Sequence, residues 1–534
     1  MLWLVVPLTA GLSLGRVHEF AHTTSLLAGA LLLALFAVFQ HRRWPPVSLP
    51  AACLSVFLAG VASYALHRPR IAAWDALPPR EARLDLEIER SFASRDPKQA
   101  RGLARILAAS GPLQEVVGQR AYFSLNLKKG QPPPLRSSVV STMGVIESLP
   151  RDPPVSSFDG YLANAGVNFR FGRGRILSEK VAAGSYYQFC ARAARRLADI
   201  LGAGVEAKQP TLTGVLRAMM LGQQNELTDE QVTQFRETGT MHVFSISGLH
   251  IAVIATGVHA LLSLMRAPRL VRCPLELVAL WLYVDVTGAA PSAIRAFVMV
   301  AVIEVALAFR RPHNPISALA GSALVILVFD PLQLFSASFQ MSYGIVAALL
   351  LLGLPMSESW QSRLTLFRDL PKVTWGRRRM LIDAWWRGLL TALAIGTAAS
   401  LVSAVTGVLF FQLFTPGAFI ANLWLIPAST IVIYMGSLSL IFGLIGFSAG
   451  SVLANHAALL VLWGIDKAMR VTTQLPAMWF NAHFRSTTVG SIALGVLLLI
   501  LMMGYAKGWR GWQRGYWAPF AVVALMLVFG VTFP

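Results

Sequence analysis

From Gly239 to Pro534 the sequence is apolar almost without interruption, broken by short polar joints at Met265 to Arg272, Gly288 to Pro291, Arg310 to Pro315, Asp330-Pro331 and Leu354 to Arg387. Inside hydrocarbon every backbone N–H and C=O has to be paired within the chain, so such a run must be a series of helices rather than open sheet. About ten spans fit between those joints. Composition agrees: 55% of the 534 residues are hydrophobic, 13% are charged and mean hydropathy is +0.58. That is far outside the soluble average.

Three more apolar stretches open the chain, Leu2 to Gly15, Thr24 to Gln40 and Leu49 to Leu66. The first resembles a signal-peptide core, but no A-x-A-like site closes it and further apolar runs follow, so it reads as a retained span. Residues 1–69 are therefore N-terminal transmembrane helices. Residues 70–180 are charged and Pro-rich, and the pieces Arg83-Leu-Asp-Leu-Glu-Ile-Glu and Ala121-Tyr-Phe-Ser-Leu-Asn-Leu alternate like half-buried strands. They form a small β domain whose exit is Ser157 to Val167. Residues 181–237 read as amphipathic interfacial helices, one over Gly184 to Leu201 with Arg192, Arg195 and Arg196 on a helical repeat, the other over Leu212 to Phe235. Residues 238–534 are the main transmembrane domain. The fold class is a polytopic α-helical membrane protein with an inserted small extracytoplasmic β domain.

Net charge is +20, a value that in a soluble protein points to nucleic acid. In a membrane protein Lys and Arg also set orientation. Placing Arg42 and Arg43 inside puts the basic joints at Arg266, Arg269 and Arg272, at Arg310 and Arg311, at Arg363 to Arg387 and at Lys507 to Arg514 inside as well. The Arg377-Arg378-Arg379 run falls in one of them. The Gly288 and Asp330 joints, and the β domain, then face outward. Orientation explains much of the charge, and a basic face on the outer domain remains as the surface for a polyanion. Cys53, Cys190 and Cys273 lie far apart without CxxC or Cys/His spacing, so no zinc or disulfide framework and no cofactor is expected. Nor does the sequence hold the GxxxxGK[ST] loop of an ATPase motor.

The most informative segment is Phe235-Arg-Glu-Thr-Gly-Thr-Met-His-Val-Phe-Ser-Ile-Ser-Gly-Leu-His250, which leads directly into an apolar run. His242, Ser245, Ser247 and His250 at the mouth of a span are costly in lipid, so they should face protein or water. Ser247-Gly248 can interrupt the helix, and a half-helix beginning there presents free N–H groups and a positive dipole end to an anion. The bland reading is a satisfied packing joint. Arg295 is placed to meet passing phosphates, its alternative being a buried pair with Asp285 or Glu304. Ser336, Ser338, Gln340, Ser342 and Tyr343, with Gln412, Asn422 and Asn455, suit either a wet path or helix–helix hydrogen bonds. Phe410, Phe411 and Phe414 could stack bases, face lipid or fill core.

In the β domain Lys128, Lys129, Arg170, Arg173 and Arg175, with Arg101 and Arg105, alternate with Tyr122, Phe123, Phe169 and Phe171. A basic groove with exposed aromatics is how OB folds take single strands, although the same run also fits a solvated edge strand.

The run HVFSISGLH, preceded by LRAMMLGQQ and FRETG, resembles the signature of the ComEC competence family, proteins that form the inner-membrane DNA channel. Three further pieces resemble that family in the same order: PSAIRAFVM at Pro291 to Met299, DPLQLFSASFQMSYGIVAAL at Asp330 to Leu349, and FFQLFTPGAFIANLWLIP at Phe410 to Pro427. The resemblance implies an OB-like outer domain, a competence-type transmembrane channel over 238–534, and a place in the bacterial inner (plasma) membrane. It implies passage of single-stranded DNA during natural transformation, without covalent chemistry. The expected path is His242, Ser245, Ser247, Gly248, His250, Asp285, Arg295, Gln340 and Asn422. A periplasmic DNA receptor and a cytoplasmic helicase-like translocase are the implied partners, and homo-oligomerisation is open. The chain departs from the family at Gln223, where an acidic residue is usual, and lacks the HxHxDH motif of the metallo-β-lactamase-like domain that many relatives carry. It is therefore expected to be a short form without nuclease activity. Two rivals stand beside this reading: an intramembrane Ser/His hydrolase, disfavoured by the lack of a G-x-S-x-G elbow, and a transporter of small anionic solutes, disfavoured by the lack of a repeat between two halves.

Overall fold

A computed structural model describes residues 2–18, 23–40, 45–75, 77–244, 246–310, 314–367, 375–510 and 515–533. In chain order the helices are α1 Leu2–Val17, α2 Thr23–Gln40, α3 Pro45–His67, α4 Phe158–Asn164, α5 Ser185–Gly202, α6 Pro210–Leu221, α7 Asp229–Glu237, α8 Gly248–Leu264 and α9 Arg269–Val286. They continue with α10 Pro291–Ala308, α11 Pro315–Phe329, α12 Ala337–Ala348, α13 Leu354–Arg363, α14 Arg377–Phe411, α15 Ala418–Leu444, α16 Ser448–Thr473, α17 Thr487–Ala506 and α18 Trp517–Leu525.

Among the described residues eight helical stretches are long and apolar enough to cross a bilayer: α2, α3, α10, the continuous run Ala337–Arg363, α14, α15, α16 and α17. Four shorter apolar helices accompany them, at Leu4–Val17, Gly248–Leu264, Pro315–Phe329 and Trp517–Gly530. This is a multi-pass membrane protein. The chain divides into two compact units, the first comprising Met1–Asp199, Leu221–Glu226 and Gly248–Phe339, the second Ile200–Met220, Leu227–Ser247 and Gln340–Pro534.

Within the first unit, strands β1 Arg80–Phe92, β2 Gln99–Ala109, β3 Arg120–Asn126, β4 Val139–Ser148 and β5 Val167–Val181 close a barrel in the order β1-β2-β3-β5-β4. All pairings are antiparallel except β3 with β5. Period-two alternation builds its core: Leu84, Leu86 and Ile88 of β1 point inward while Asp85 and Glu87 between them, and Glu89 after them, do not. Phe123, Phe169 and Phe171 fill the interior, with Trp74 edge-on to Phe169 at 5.4 Å. Room for Phe171 comes from two glycines, since a Cβ on Gly144 would lie 2.9 Å and one on Gly174 2.8 Å from its ring. The segment Ser157 to Val167 is not the exit expected from the sequence. Ser157 caps α4, its Oγ accepting from the Gly160 N–H at 3.0 Å, and Val167 opens β5, which supplies both closing pairings.

Leu212 to Phe235 is likewise not one helix. Gly222, with φ of +72°, follows the end of α6, and Thr228 starts α7 with a capping box. Gln231 N–H donates to Thr228 Oγ1 at 3.2 Å and Thr228 N–H to Gln231 Oε1 at 3.0 Å. In the second unit α15 and α16 pack as a pair. Asn455 of α16 accepts from Ser439 Oγ at 2.6 Å and donates to the carbonyls of Ile200 and Ala203 at 2.8 and 3.1 Å. Of the two readings open for Asn455, the structural joint is the one observed.

Candidate functional site

The signature segment passes from the second unit into the first between Ser247 and Gly248. Its upstream half folds back on itself. After α7, Gly239 turns the chain at φ of +67°, and a 3-10 turn over Met241–Phe244 lays the Phe244 ring on Phe235 at 3.8 Å between centroids and 18° between planes. Thr238 and Thr240, both fully buried, share a hydroxyl–hydroxyl bond of 2.8 Å, and Thr238 also donates to the Gln234 carbonyl at 2.8 Å. A Cβ at Gly239 would meet Thr415 Oγ1 and Ala418 Cβ at 2.9 Å each, so only glycine lets the first motif sit on the fourth. His242 is exposed, with Nδ1 3.2 Å from the Gly239 carbonyl. Gln340 and Asn422 lie in this unit too. The buried atoms Asn422 Oδ1 and Gln234 Nε2 have no hydrogen-bond partner among the described residues. Buried polar atoms of this kind call for water or a ligand.

The downstream half opens α8, which starts at Gly248. A Cβ on Gly248 would touch Ala296 of α10 at 3.9 Å, and His250, in the first turn, is 1% exposed. Arg295, 2% exposed, donates through Nη2 to the Ser338 carbonyl at 2.8 Å and to the Ser338 hydroxyl. The second and third motifs are thereby joined. Ser336 caps α12, accepting from Phe339 N–H at 3.1 Å and donating to the Gln333 carbonyl at 2.8 Å.

Asp285, expected either on the path or opposite Arg295, is engaged elsewhere. Its carboxylate, 3% exposed, accepts from Arg136 Nη1 at 3.1 Å and from Tyr186 Oη at 2.8 Å. The strand connection carrying Arg136 and the helix α5 carrying Tyr186 are thus both tied to the end of α9. Desolvation, and then the hydrogen bond donated to the Asp285 carboxylate, hold the Tyr186 phenol above its ordinary range. Sequence reasoning did not single out Arg136 or Tyr186. They are 149 and 99 residues from Asp285, and no local pattern marks them.

On the barrel the expectation for Phe169 and Phe171 is corrected. Both are core residues, 2% and 0% exposed, because alternation along β5 sends them inward, so neither can stack a base. Arg170 between them points outward and is bound by Asp159 and by Glu147. Arg173 and Arg175 are exposed, as are Lys128 and Lys129 after β3. Arg105 and Arg120 both pair with Glu89, at 3.5 and 3.0 Å.

The aromatics that do face outward are others. Tyr122 stacks with Phe92 at 6.3 Å and meets Phe158 edge-on at 5.2 Å, while Phe158 stacks with Tyr161 at 5.9 Å. Phe158 and Tyr161 are 48% and 39% exposed, and Arg90 lies over Phe92 at 5.4 Å. Burial pushes the Tyr122 phenol up. Tyr161 stands in the segment Ser157 to Val167, but only the helix α4 explains why it and Phe158 share a face with Tyr122. In the helical region Phe410 is buried, Phe411 is exposed, and Phe414 packs with Phe480 and Phe533. Ser245, and the topology residues Arg42, Arg43, Arg311 and Arg514, lie outside the described residues.

The Competence protein family matches residues 219–509 of this chain. ComE operon protein 3 of Bacillus subtilis (strain 168) is 33% identical over 142 residues, 27% of this chain and 18% of that protein. Competence protein ComA of Neisseria gonorrhoeae is 32% identical over 151 residues, 26% of this chain and 21% of that protein. The chain therefore aligns with about a fifth of the length of each of these relatives. No solved structure matches. The family match runs over more than half of the sequence and encloses all four motifs, in pairs that the structure packs together, and the chain belongs to the ComEC competence-protein family.

Proposed function

We propose that the protein sits in the bacterial inner membrane and passes single-stranded DNA into the cell during natural transformation. The observation that carries this reading is the family match across residues 219–509, which takes in every polar residue assigned to the path. A polyanion cannot cross hydrocarbon, so its path has to replace water with donors and still release what it binds. His242, Ser247, His250 and Arg295 are the residues assigned to that work, and the burial of His250 and Arg295 in apolar helices supports the assignment. The unsatisfied atoms of Gln234 and Asn422 support a hydrated interior.

The five-stranded closed barrel is read as OB-like. Its strand-binding face is read as the exterior patch Phe92, Tyr122, Phe158 and Tyr161 together with the exposed Lys128, Lys129, Arg173 and Arg175, since single strands are taken by aromatic platforms and basic side chains. Driving force comes from a cytoplasmic helicase-like partner, and an external DNA receptor delivers the strand. The chain performs no covalent step, a reading that labelling of Ser247 by a fluorophosphonate probe would overturn.

The deciding experiment follows labelled DNA in a competent host. A clean deletion is expected to leave DNA protected outside the inner membrane with no labelled single strand in the cytoplasm, and the intact gene to restore its arrival. Arrival in the deletion strain would remove the proposal.

A further inference from the structure

Away from the four motifs, α8, α9 and α10 pack against one another within the first unit. They bring together His259, Glu276 and Glu304, one from each helix, with a ligand atom of each within 4.8 Å of the others. His259 Nδ1 lies 3.1 Å from Glu276 Oε2, and the Glu276 side chain is 1% exposed. Arg272 Nη1 is 3.4 Å from His259 Nε2 and donates to Ser263 Oγ at 2.6 Å. At about 1.5 Å per residue, all three groups lie within roughly 6–11 Å of the ends where α8 and α10 stop and α9 starts, so they share one level of the three-helix group.

Two carboxylates this close in an apolar bundle repel each other; Arg272 offsets part of that from beyond the His259 ring, and a cation between the oxygens would offset it directly. One imidazole and two carboxylates are also the kind of ligand set that suits a divalent transition metal, with three protein ligands and open positions for water. Arg272 is held on the far side of the ring by Ser263 and by the Ala267 carbonyl at 3.4 Å, which leaves the Nδ1 side facing the carboxylates.

We propose that His259, Glu276 and Glu304 bind one divalent transition-metal ion that pins α8, α9 and α10 together. On binding, His259 Nδ1 gives up its proton and the ring takes the Nε2–H tautomer, while Arg272 keeps its bonds to Ser263 and the Ala267 carbonyl; Nδ1 and one oxygen of each glutamate then bond to the ion. The site uses none of the residues assigned to DNA, so it stands or falls independently of the transport reading.

The test is calorimetric titration of the full-length protein in lipid nanodiscs, stripped with EDTA, using Zn²⁺ and Mn²⁺ separately. One ion per chain is expected for at least one of the two metals. His259→Ala and Glu304→Gln should each weaken that binding by more than the 10–100-fold typical of losing an outer-shell partner, about 100-fold or beyond. Cys273→Ser, a neighbour on α9, should leave it unchanged, which separates the site from thiol capture. The same ion should raise the thermal midpoint of the wild type and of Cys273→Ser but not of Glu304→Gln, a near-isosteric change at a half-buried position. No stoichiometric binding of either metal, or equal binding in His259→Ala and Glu304→Gln, overturns the site.

Discussion

Arg170 in the barrel and Arg295 in the helices both sit between apolar residues, in Phe169-Arg-Phe171 and Ile294-Arg-Ala296, and meet opposite fates. Strand alternation turns Arg170 outward, where Asp159 and Glu147 meet it at the wet surface. Helical packing turns Arg295 inward onto a carbonyl and a hydroxyl of Ser338. Two carboxylates meet the first guanidinium, whereas a carbonyl and a hydroxyl orient the second. A basic run is therefore weak support for polyanion binding on a surface that also carries acids, while a buried arginine in an apolar helix is an expensive feature that asks for a purpose.

The largest effect expected is on that second arginine. Arg295→Ala and His250→Ala should each reduce transformants to the level of a deletion while incoming DNA remains protected outside the inner membrane. Arg170→Ala should transform nearly as well as the parent. If the two arginines behave alike, the distinction drawn between them is wrong.

The barrel offers a second contrast, between aromatics inside and outside the wall. Phe171→Ala removes a fully buried ring and should cost about 3–5 kcal/mol, read as early unfolding and protease sensitivity of the barrel in the full-length protein. Phe158→Ala should leave stability unchanged and instead weaken binding of a short single strand by about 1–3 kcal/mol. Binding that survives Phe158→Ala and Tyr161→Ala together would clear the exterior patch of its assigned role.

How much of this could be read from the sequence depends on how far apart the partners lie. Strands β1 and β3 are legible because period two is a local signal, and Leu84, Leu86 and Ile88 obey it. The same alternation shows in Phe169-Arg-Phe171, yet which face is interior depends on barrel closure, a property of five strands together. The four motifs were visible in order. Their pairing, Gly239 against Thr415 and Ala418 and Arg295 against Ser338, is set by packing between distant helices and left no trace in spacing. Gly222 and the Thr228 box were there to be read as a break in the Leu212 to Phe235 helix, but the apolar period across them was the louder signal. The His259, Glu276 and Glu304 group comes from three helices, so no short spacing reveals it.

A smaller effect is expected where the barrel meets α9. Arg136→Ala leaves the nearly buried Asp285 carboxylate with only the Tyr186 hydroxyl, and should destabilise this junction by about 1 kcal/mol. Asp285→Asn keeps acceptor capacity for Tyr186 while dropping the charge, so it should cost less than Arg136→Ala. The reverse order would mean that the pairing is not what holds Asp285 in place.

The smallest effect separates charge from stacking on the outer surface. Lys128 and Lys129 are exposed on the connection after β3. If each touches one phosphate, replacing both with alanine should lower the slope of log affinity against log salt by about 1.4, since each contact with a single strand contributes roughly 0.7. Phe158→Ala should reduce affinity at every salt concentration and leave that slope alone, because stacking releases no counterions. A double lysine variant with an unchanged slope would place these two residues off the strand and leave Arg173 and Arg175 as the basic residues assigned to it.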